Sequence, residues 1–234
     1  MSELYDFHSH VLPGIDDGSK SVEESLAMLT ASAEQGVGVM AATPHFYADE
    51  QSIERFLRRR QRAWDRLRDH LEDGMPQLRL GAEVHYFEGI CSTPGLLDLR
   101  LQGTKILLLE MPFCRWSDRM VRDIRELNSR PEIVVLLAHI ERYLREQPAG
   151  VIDELLADRV RLQCNASIFC NWRTRRRAMR MLDNDQIYLL GSDSHNMTTR
   201  PPALGKAAEA IRSKLGQQAL DKVGRRAERL LADA

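Results

Sequence analysis

The sequence has few cysteines, and its positive and negative charges nearly cancel. The four cysteines among 234 residues are Cys91, Cys114, Cys164 and Cys170, and none forms a C-x-x-C pair. This spacing argues against a zinc ribbon or a thioredoxin-type site and favours free thiols in a reducing compartment. The formal net charge of −1 gives no global reason to expect binding to nucleic acid or to an anionic membrane.

The sequence also lacks long apolar runs. None approaches the ~20 residues that a membrane-spanning helix needs. The first ten residues, MSELYDFHSH, do not show the basic, apolar and small-residue succession of a signal peptide. We therefore expect a cytoplasmic protein with no membrane insertion. The length and the 43% hydrophobic content suit a single domain over residues 1–234.

Short apolar segments alternate with longer amphipathic ones along the whole chain. Strands are predicted at 4–8, 37–43, 78–84, 105–111, 132–139, 160–165 and 186–193. Helices are predicted at 21–36, 49–73, 117–130, 150–159, 172–184, 202–214 and 217–231. This alternation indicates parallel βαβ units with a sheet covered on both faces. Because no G-x-G-x-x-G turn is present, the pattern favours a closed or distorted α/β barrel over a dinucleotide-binding sheet.

Polar side chains stand where the predicted strands end. His8 and His10 end the first strand, and because alternate strand residues point the same way, they can share one ion. In a parallel α/β barrel the carboxyl ends of the strands share one face, so residues far apart in sequence would converge there. The other members of the set are Asp17, His45, Glu83, Glu110, His139, Asp193 and His195.

Imidazole and carboxylate together suit zinc, iron, manganese or magnesium. Nine candidate ligands are too many for one ion and suit two or three divalent ions. Burying so many ionisable groups without a metal would be costly. Of the two remaining histidines, His70 is expected on a solvated helix face, whereas His85 follows Glu83 by two residues and can face the site.

Arginines near these candidate ligands point to an anionic substrate. Arg142 follows His139 by three residues and Arg200 follows His195 by five, and guanidinium groups match phosphate oxygens in a bidentate way. Five further arginines lie between residues 171 and 180 without any acidic residue among them. They predict either a solvated helix face or a rim that attracts an acidic peptide: Arg173, Arg175, Arg176, Arg177 and Arg180.

The motifs DFHSHVLPGIDDG, TPHF, GAEV, LLLEMP, AHIERY and GSDSHN, followed by RPP, resemble the PHP (polymerase and histidinol phosphatase) superfamily. More narrowly, they resemble the manganese-dependent protein tyrosine phosphatases of bacterial capsule and exopolysaccharide systems. The resemblance implies a distorted (β/α)7 barrel and a trinuclear site held by the nine ligands, with manganese expected and iron, zinc or magnesium as alternatives. It implies that Arg142 and Arg200 hold the phosphate and that Asp193 and His195 take part in catalysis. The implied substrate is phosphotyrosine in the C-terminal tail of a cognate bacterial tyrosine kinase.

Three other functions compete with this one. A small-molecule phosphoesterase of the histidinol-phosphatase type would use the same ligands, and a degenerate PHP domain would serve only as a binding module. Cys170 and Arg176 have the C-x5-R spacing of thiol-based tyrosine phosphatases. The intervening NWRTR contains no glycine, however, so a tight loop around a phosphate is hard to build there.

Overall fold

The computed structural model describes residues 3–148 and 150–233. Their strands form two sheets, of order β1-β2-β4 and β3-β5-β6-β7-β8-β9, in which every pair of neighbours is parallel. The strands are β1 (Leu4–Ser9), β2 (Val37–Ala42), β3 (His45–Phe46), β4 (Gln77–Leu80), β5 (Glu83–His85), β6 (Ile106–Glu110), β7 (Val134–Leu137), β8 (Arg161–Asn165) and β9 (Leu189–Gly191).

The two sheets are linked where β1 and the segment after β9 come together. The segment after β9 lies beside the end of β1, where Ser9 and Ser194 form a parallel bridge. The main-chain N–H of His10 donates to the carbonyl of Ser194 at 2.9 Å, and that of Asp193 donates to the carbonyl of His8 at 2.8 Å. The result is a mixed α/β fold around a curled parallel sheet, which confirms the α/β class that the sequence predicts.

The described residues form nine strand segments where the sequence predicts seven, because the predicted strand at 78–84 is interrupted and the short strand β3 lies beyond the predicted strand at 37–43. Pro44 separates β2 from β3, and Gly81 separates β4 from β5. Proline cannot donate to a strand ladder, and its carbonyl instead accepts from the main-chain N–H of Glu83 at 3.0 Å. The two breaks lie side by side, because the N–H of Gly81 donates to the carbonyl of Ala42.

Helices follow most strands, and several differ from the sequence-based bounds. The predicted helix at 49–73 is shorter, since the Ser52 side chain caps it by accepting from the N–H of Arg55, and exposed His70 lies beyond its end. No helix among the described residues is both long and apolar enough to cross a bilayer. The helices are α1 (Val22–Glu34), α2 (Ile53–Arg68), α3 (Asp118–Asn128), α4 (Val151–Ala157), α5 (Ser167–Cys170), α6 (Arg175–Asp183), α7 (Leu204–Leu215) and α8 (Gln217–Ala232).

Two apolar cores cover the two faces of the sheet. The larger core lies between the sheet and the helices and includes Leu107 and Leu109 of β6. The smaller core includes Leu108 of the same strand and is covered by Ala227 and Leu230 of α8. By strand alternation Glu110 points to the same side as Leu108. The inner side of the curled sheet is therefore apolar towards α8 and becomes charged at the carboxyl ends of the strands.

Candidate metal centre

The carboxyl ends of the strands bring all nine predicted ligands into one cluster. Eight of them fall into three overlapping groups whose candidate ligand atoms lie within 4.8 Å of one another. His139 joins the cluster through its Nε2, which is 2.8 Å from Glu83 Oε1 and 3.3 Å from Glu110 Oε1. The groups are His10, Asp17, His45 and His195; His8, His10 and Asp193; and His45, Glu83 and Glu110.

Glu83 lies at the centre of the cluster. Its buried Oε2 is 3.1 Å from His8 Nε2, 3.3 Å from His10 Nε2 and 3.0 Å from His45 Nδ1. It nevertheless has no hydrogen-bond partner of good geometry. The Nε2 atoms of His8 and His10 also face each other at 3.2 Å. An orphaned carboxylate oxygen surrounded by converging ring nitrogens fits divalent cations, which would satisfy all of these lone pairs at once.

Two members of the cluster have unusual backbone conformations. His139 and Asp193 have positive φ angles of 31° and 52°, which non-glycine residues rarely adopt. Both are held by hydrogen bonds, since the N–H of His139 donates to Gln163 Oε1 at 2.7 Å and that of Asp193 donates to the His8 carbonyl. Strained backbone of this kind is typical of functional sites, where the surrounding structure compensates for it.

Asp16 contacts two of the candidate ligands, His10 and His45, without being a candidate ligand itself. The sequence did not reveal this role. Its Oδ2 lies 2.8 Å from His10 Nδ1 and accepts the main-chain N–H of His45 at 3.0 Å, while Oδ1 accepts the N–H of Gly18. Burial opposes ionisation, but the bond from His10 holds the pKa of Asp16 well below its ordinary value. Asp16 therefore fixes the orientation of His10, whereas Asp17 reaches the cluster with a side chain that is 65% exposed.

A chain of amides supports the opposite side of the cluster. Gln163 Nε2 donates to Asn165 Oδ1 at 3.0 Å, and Asn165 Nδ2 donates to Asp193 Oδ2 at 2.8 Å. Gln163 Oε1 also lies 3.3 Å from His8 Nδ1. These two residues end β8 with the same two-residue spacing as His8 and His10. That spacing was the signal by which the sequence could have identified them.

Burial and neighbouring charges set the ionisation states within the cluster. Burial disfavours the charged form of Glu110, but hydrogen bonds from His139 and His85 lower its pKa to about 2. Burial also disfavours protonated His139, yet the carboxylates of Glu110 and Glu83 raise its pKa to about 9. Burial, with the cations of His10 and Arg200 beside it, lowers the pKa of His195 to about 4. The carboxylates are therefore ionised, and His195 keeps a lone pair that can bind a metal.

Arg142 and Arg200 lie on the partly exposed side of the cluster, which we call the mouth. Both arginines pair with Asp193. Both Arg142 Nη2 and Arg200 Nη2 donate to Asp193 Oδ2, the latter at 2.6 Å. Arg200 Nη1 also lies 2.8 Å from His195 Nε2. The two side chains are 36% and 37% exposed, so both remain accessible to a ligand from solvent. The mouth therefore presents two cations directly beside the carboxylates and imidazoles.

An aromatic side chain that the sequence did not single out stands next to Arg142. Phe113 is 56% exposed, and its ring centroid lies 5.9 Å from the Arg142 guanidinium carbon. The ring stacks on Tyr143 at 5.6 Å between centroids and lies 5.8 Å from the His139 ring. Phe113 thus gives the mouth one apolar aromatic wall.

Comparison with known proteins identifies the family of the chain. The model of the family described as "Capsular polysaccharide synthesis, CpsB/CapC" matches residues 4–231. The chain belongs to the CpsB/CapC family. The tyrosine-protein phosphatase CpsB of Streptococcus agalactiae is 27% identical over 233 residues, which cover 92% of each protein. The tyrosine-protein phosphatase YwqE of Bacillus subtilis is 26% identical over 243 residues, covering 97% of this chain and 91% of YwqE.

Solved structures extend the comparison to the fold of the CpsB/CapC family. A structure reported with YwqE from Bacillus subtilis and CpsB from Streptococcus pneumoniae, described as unique metal-dependent tyrosine phosphatases, matches with a TM-score of 0.84. It is 22% identical, and the match covers 99% of this chain and 96% of that one. A probable 2-pyrone-4,6-dicarboxylic acid hydrolase from Acinetobacter baumannii matches less closely, with a TM-score of 0.56 at 11% identity.

The positions of His85 and Cys170 in this CpsB/CapC member can be compared with what the sequence suggested for them. His85 Nδ1 lies 3.0 Å from Glu110 Oε2, so this histidine does face the site. Cys170 is placed differently from a catalytic thiol, because burial raises the pKa of the thiol and its Sγ points to the carbonyl of Ala166 at 3.7 Å. A nucleophilic cysteine needs the opposite shift, towards the thiolate.

Proposed function

We propose that this CpsB/CapC member is a metal-dependent protein-tyrosine phosphatase, a hydrolase of phosphoric monoesters. The observation that carries the proposal is the convergence of imidazoles and carboxylates on Glu83, with two partly exposed arginine side chains directly beside them. Metal ligands and phosphate-binding cations at one mouth suit the hydrolysis of a phosphate ester. The names of the relatives, tyrosine-protein phosphatases in two bacterial genera, support the same substrate class.

The three overlapping groups suit two to three divalent ions. His10 and His45 each belong to two groups, so the three groups form one continuous set of candidate ligands. The mixed imidazole and carboxylate set suits manganese, and iron, zinc or magnesium are alternatives. When bound, such ions would make water nucleophilic near neutral pH and polarise the oxygens of the ester. The proposed ligands are His8, His10, Asp17, His45, Glu83, Glu110, His139, Asp193 and His195.

Asp193 links the ligand cluster to the arginines. Its Oδ1 lies 3.6 Å from His8 Nε2 and 3.5 Å from His10 Nε2, while its Oδ2 accepts from both Arg142 and Arg200. Each guanidinium has five N–H donors, so donors remain for phosphoryl oxygens. In this arrangement Arg142 and Arg200 bind and orient the phosphate, and Asp193 positions both of them.

The mouth favours an aryl ester over a small polar one. Phe113 offers an exposed ring next to Arg142, where a tyrosyl ring could stack while its phosphate binds the guanidinium. The substrate we propose is phosphotyrosine on protein, in the tail of a bacterial tyrosine kinase that controls polysaccharide export. The reaction would then take place in the cytoplasm, without nucleic acid and without membrane insertion.

We also propose that the nine strand segments correspond to the seven strands of a barrel. If β2 with β3 and β4 with β5 each count as one interrupted strand, the curled sheet has seven parallel strands. It then corresponds to a distorted (β/α)7 barrel of the PHP type. Residues 1–234 would form one phosphatase domain.

The proposal is tested by comparing two substrates with and without metal. Purified protein with Mn²⁺ should release phosphate from a phosphotyrosyl peptide, and EDTA should abolish turnover until Mn²⁺ is restored. Histidinol phosphate assayed side by side should be the poorer substrate by kcat/KM. Full activity in EDTA would refute the metal-dependent mechanism, and preference for histidinol phosphate would favour the small-molecule phosphoesterase instead.

A further inference from the structure

We propose that a basic surface beside the mouth binds acidic residues that flank the phosphotyrosine in the protein substrate. This inference rests on the proposed function, because it concerns how that substrate is recognised. The arginine surface consists of α6 and the loop before it, with these exposed side chains: Trp172, Arg173, Arg175, Arg176, Arg177 and Arg180.

The five arginines of the arginine surface form no ion pair within the part of the chain that the structure describes. Residues 159–182 contain no aspartate or glutamate. Among the described residues, no carboxylate lies within ion-pairing distance of the five arginines of this surface. Other exposed arginines do have such partners: Arg125, for example, pairs with both Glu154 and Asp158. Unpaired cations at this density attract an acidic partner.

Trp172 adds an apolar contact to this cationic surface. Its side chain is 76% exposed, and the Arg173 guanidinium carbon lies 5.0 Å from its ring centroid. Together with Ser167, Cys170 and Asn171 they line a shallow depression of about 450 Å³. Tryptophan and arginine are the residues that most often carry the binding energy of protein interfaces.

Two segments of the fold connect the arginine surface with residues of the site. Asn165, which contacts Asp193, ends β8, and α5 and then the loop that carries Trp172 follow it in the chain. α5 packs against α7, which follows Arg200. Arg177 and Arg180 also line a depression of about 460 Å³ with Leu144 and Gln147. Leu144 follows Arg142 by two residues in the chain, so the lining of this depression includes the segment that carries the phosphate-binding arginine.

These features favour an acidic peptide as the occupant. Guanidinium groups bind carboxylates in a bidentate way, and the depressions give room for side chains on either side of a tyrosine held at the mouth. Asp153 also lines the second depression, but its Oδ1 accepts a hydrogen bond from Gln186 Nε2 at 3.4 Å. Among the described residues it forms no ion pair with Arg177 or Arg180. The arginines therefore keep their donors available for a partner.

The test compares two phosphotyrosyl peptides with a small aryl phosphate, all with Mn²⁺-loaded protein. One peptide has aspartates and glutamates around the phosphotyrosine, and the other has asparagines and glutamines. The variant replaces three exposed arginines of α6: R175Q, R176Q and R177Q. The control variant removes the same charge from exposed positions on α2 and α8: R62Q, R225Q and R229Q. Thermal unfolding checks that both variants are folded.

We expect the α6 variant to lose about tenfold in kcat/KM for the acidic peptide, because it loses three exposed ion pairs with that peptide at once. Its turnover of the small aryl phosphate should stay within about twofold, and the control variant should match the wild type. The wild-type preference for the acidic peptide should also fall as salt is added. Equal losses on all three substrates, or no loss on the acidic peptide, would overturn the proposal. If the wild type hydrolyses none of the three, the proposed function itself fails.

Discussion

Replacing Asp16 by asparagine should weaken metal binding although Asp16 is not a predicted ligand. The Asp16 carboxylate holds His10 by its Nδ1 at 2.8 Å and the backbone of His45 at 3.0 Å. With Nδ1 bonded to Asp16, the Nε2 lone pair of His10 faces Glu83 and Asp193. Asparagine keeps the shape but offers one acceptor oxygen fewer and no charge, so the orientation of both histidines loosens.

The size of the effect follows from what such supporting bonds contribute elsewhere. Loss of an outer carboxylate that orients a ligating histidine typically weakens metal affinity by 10- to 100-fold. At a fixed Mn²⁺ concentration well above the dissociation constant, that reduces the metal-induced stabilisation by about 1.4–2.7 kcal/mol. For a chain of this length, about 2–4 °C per kcal/mol gives a loss of roughly 3–10 °C in the thermal shift.

The assay is thermal unfolding of the wild type and of Asp16→Asn across a Mn²⁺ titration. Asp49→Asn, which removes the same charge from an exposed position, is the control and should titrate as the wild type does. The variant should need 10- to 100-fold more Mn²⁺ for half of the shift, and saturating metal should restore most of its activity. A midpoint equal to that of the wild type would refute the orienting role.

Three further predictions concern the two phosphate-binding arginines, the ring of Phe113 and the thiol of Cys170. Arg142→Lys and Arg200→Lys should each lower kcat/KM for a phosphotyrosyl peptide by about 100-fold while metal content stays the same, because lysine cannot bind phosphate in a bidentate way; lost metal would contradict this. Phe113→Ala should raise KM for aryl phosphates about 2- to 10-fold through the lost ring contact, and an equal effect on an alkyl phosphate would argue against stacking. Cys170→Ser should keep wild-type activity in the same assay, and an inactive but folded variant would restore the thiol mechanism.

The sequence predicted which candidate ligands form the site, but it did not predict the residues that orient them, such as Asp16 and Gln163. Eight of the candidate ligands lie at strand ends, and parallel strands bring their carboxyl ends to one edge whatever the connecting segments do. Glu110 is an example, because it ends β6 and strand alternation places its side chain on the same side of the sheet as Leu108. That these side chains cluster is seen in the structure, whereas their binding of metal stays a prediction.

The sequence could not distinguish between neighbours whose roles depend on tertiary contacts. Nothing local tells which of Asp16 and Asp17 turns inward behind His10 and which stays on the exposed side. The sequence analysis also missed the break at Gly81, since the strand at 78–84 seemed continuous in its apolar pattern, and it missed the two-residue strand β3 that follows Pro44. Phe113 resembles an ordinary surface residue until the fold places it against Arg142.

The most direct test of the account is the metal content of the purified protein. The chain should be dialysed against Mn²⁺, freed of loosely bound metal and analysed by mass spectrometry, with anomalous scattering from crystals to locate the ions. We predict two to three ions per chain, all within contact of the cluster around Glu83. Phosphatase activity in protein with well below one ion per chain, or ions bound away from Glu83, would contradict the account.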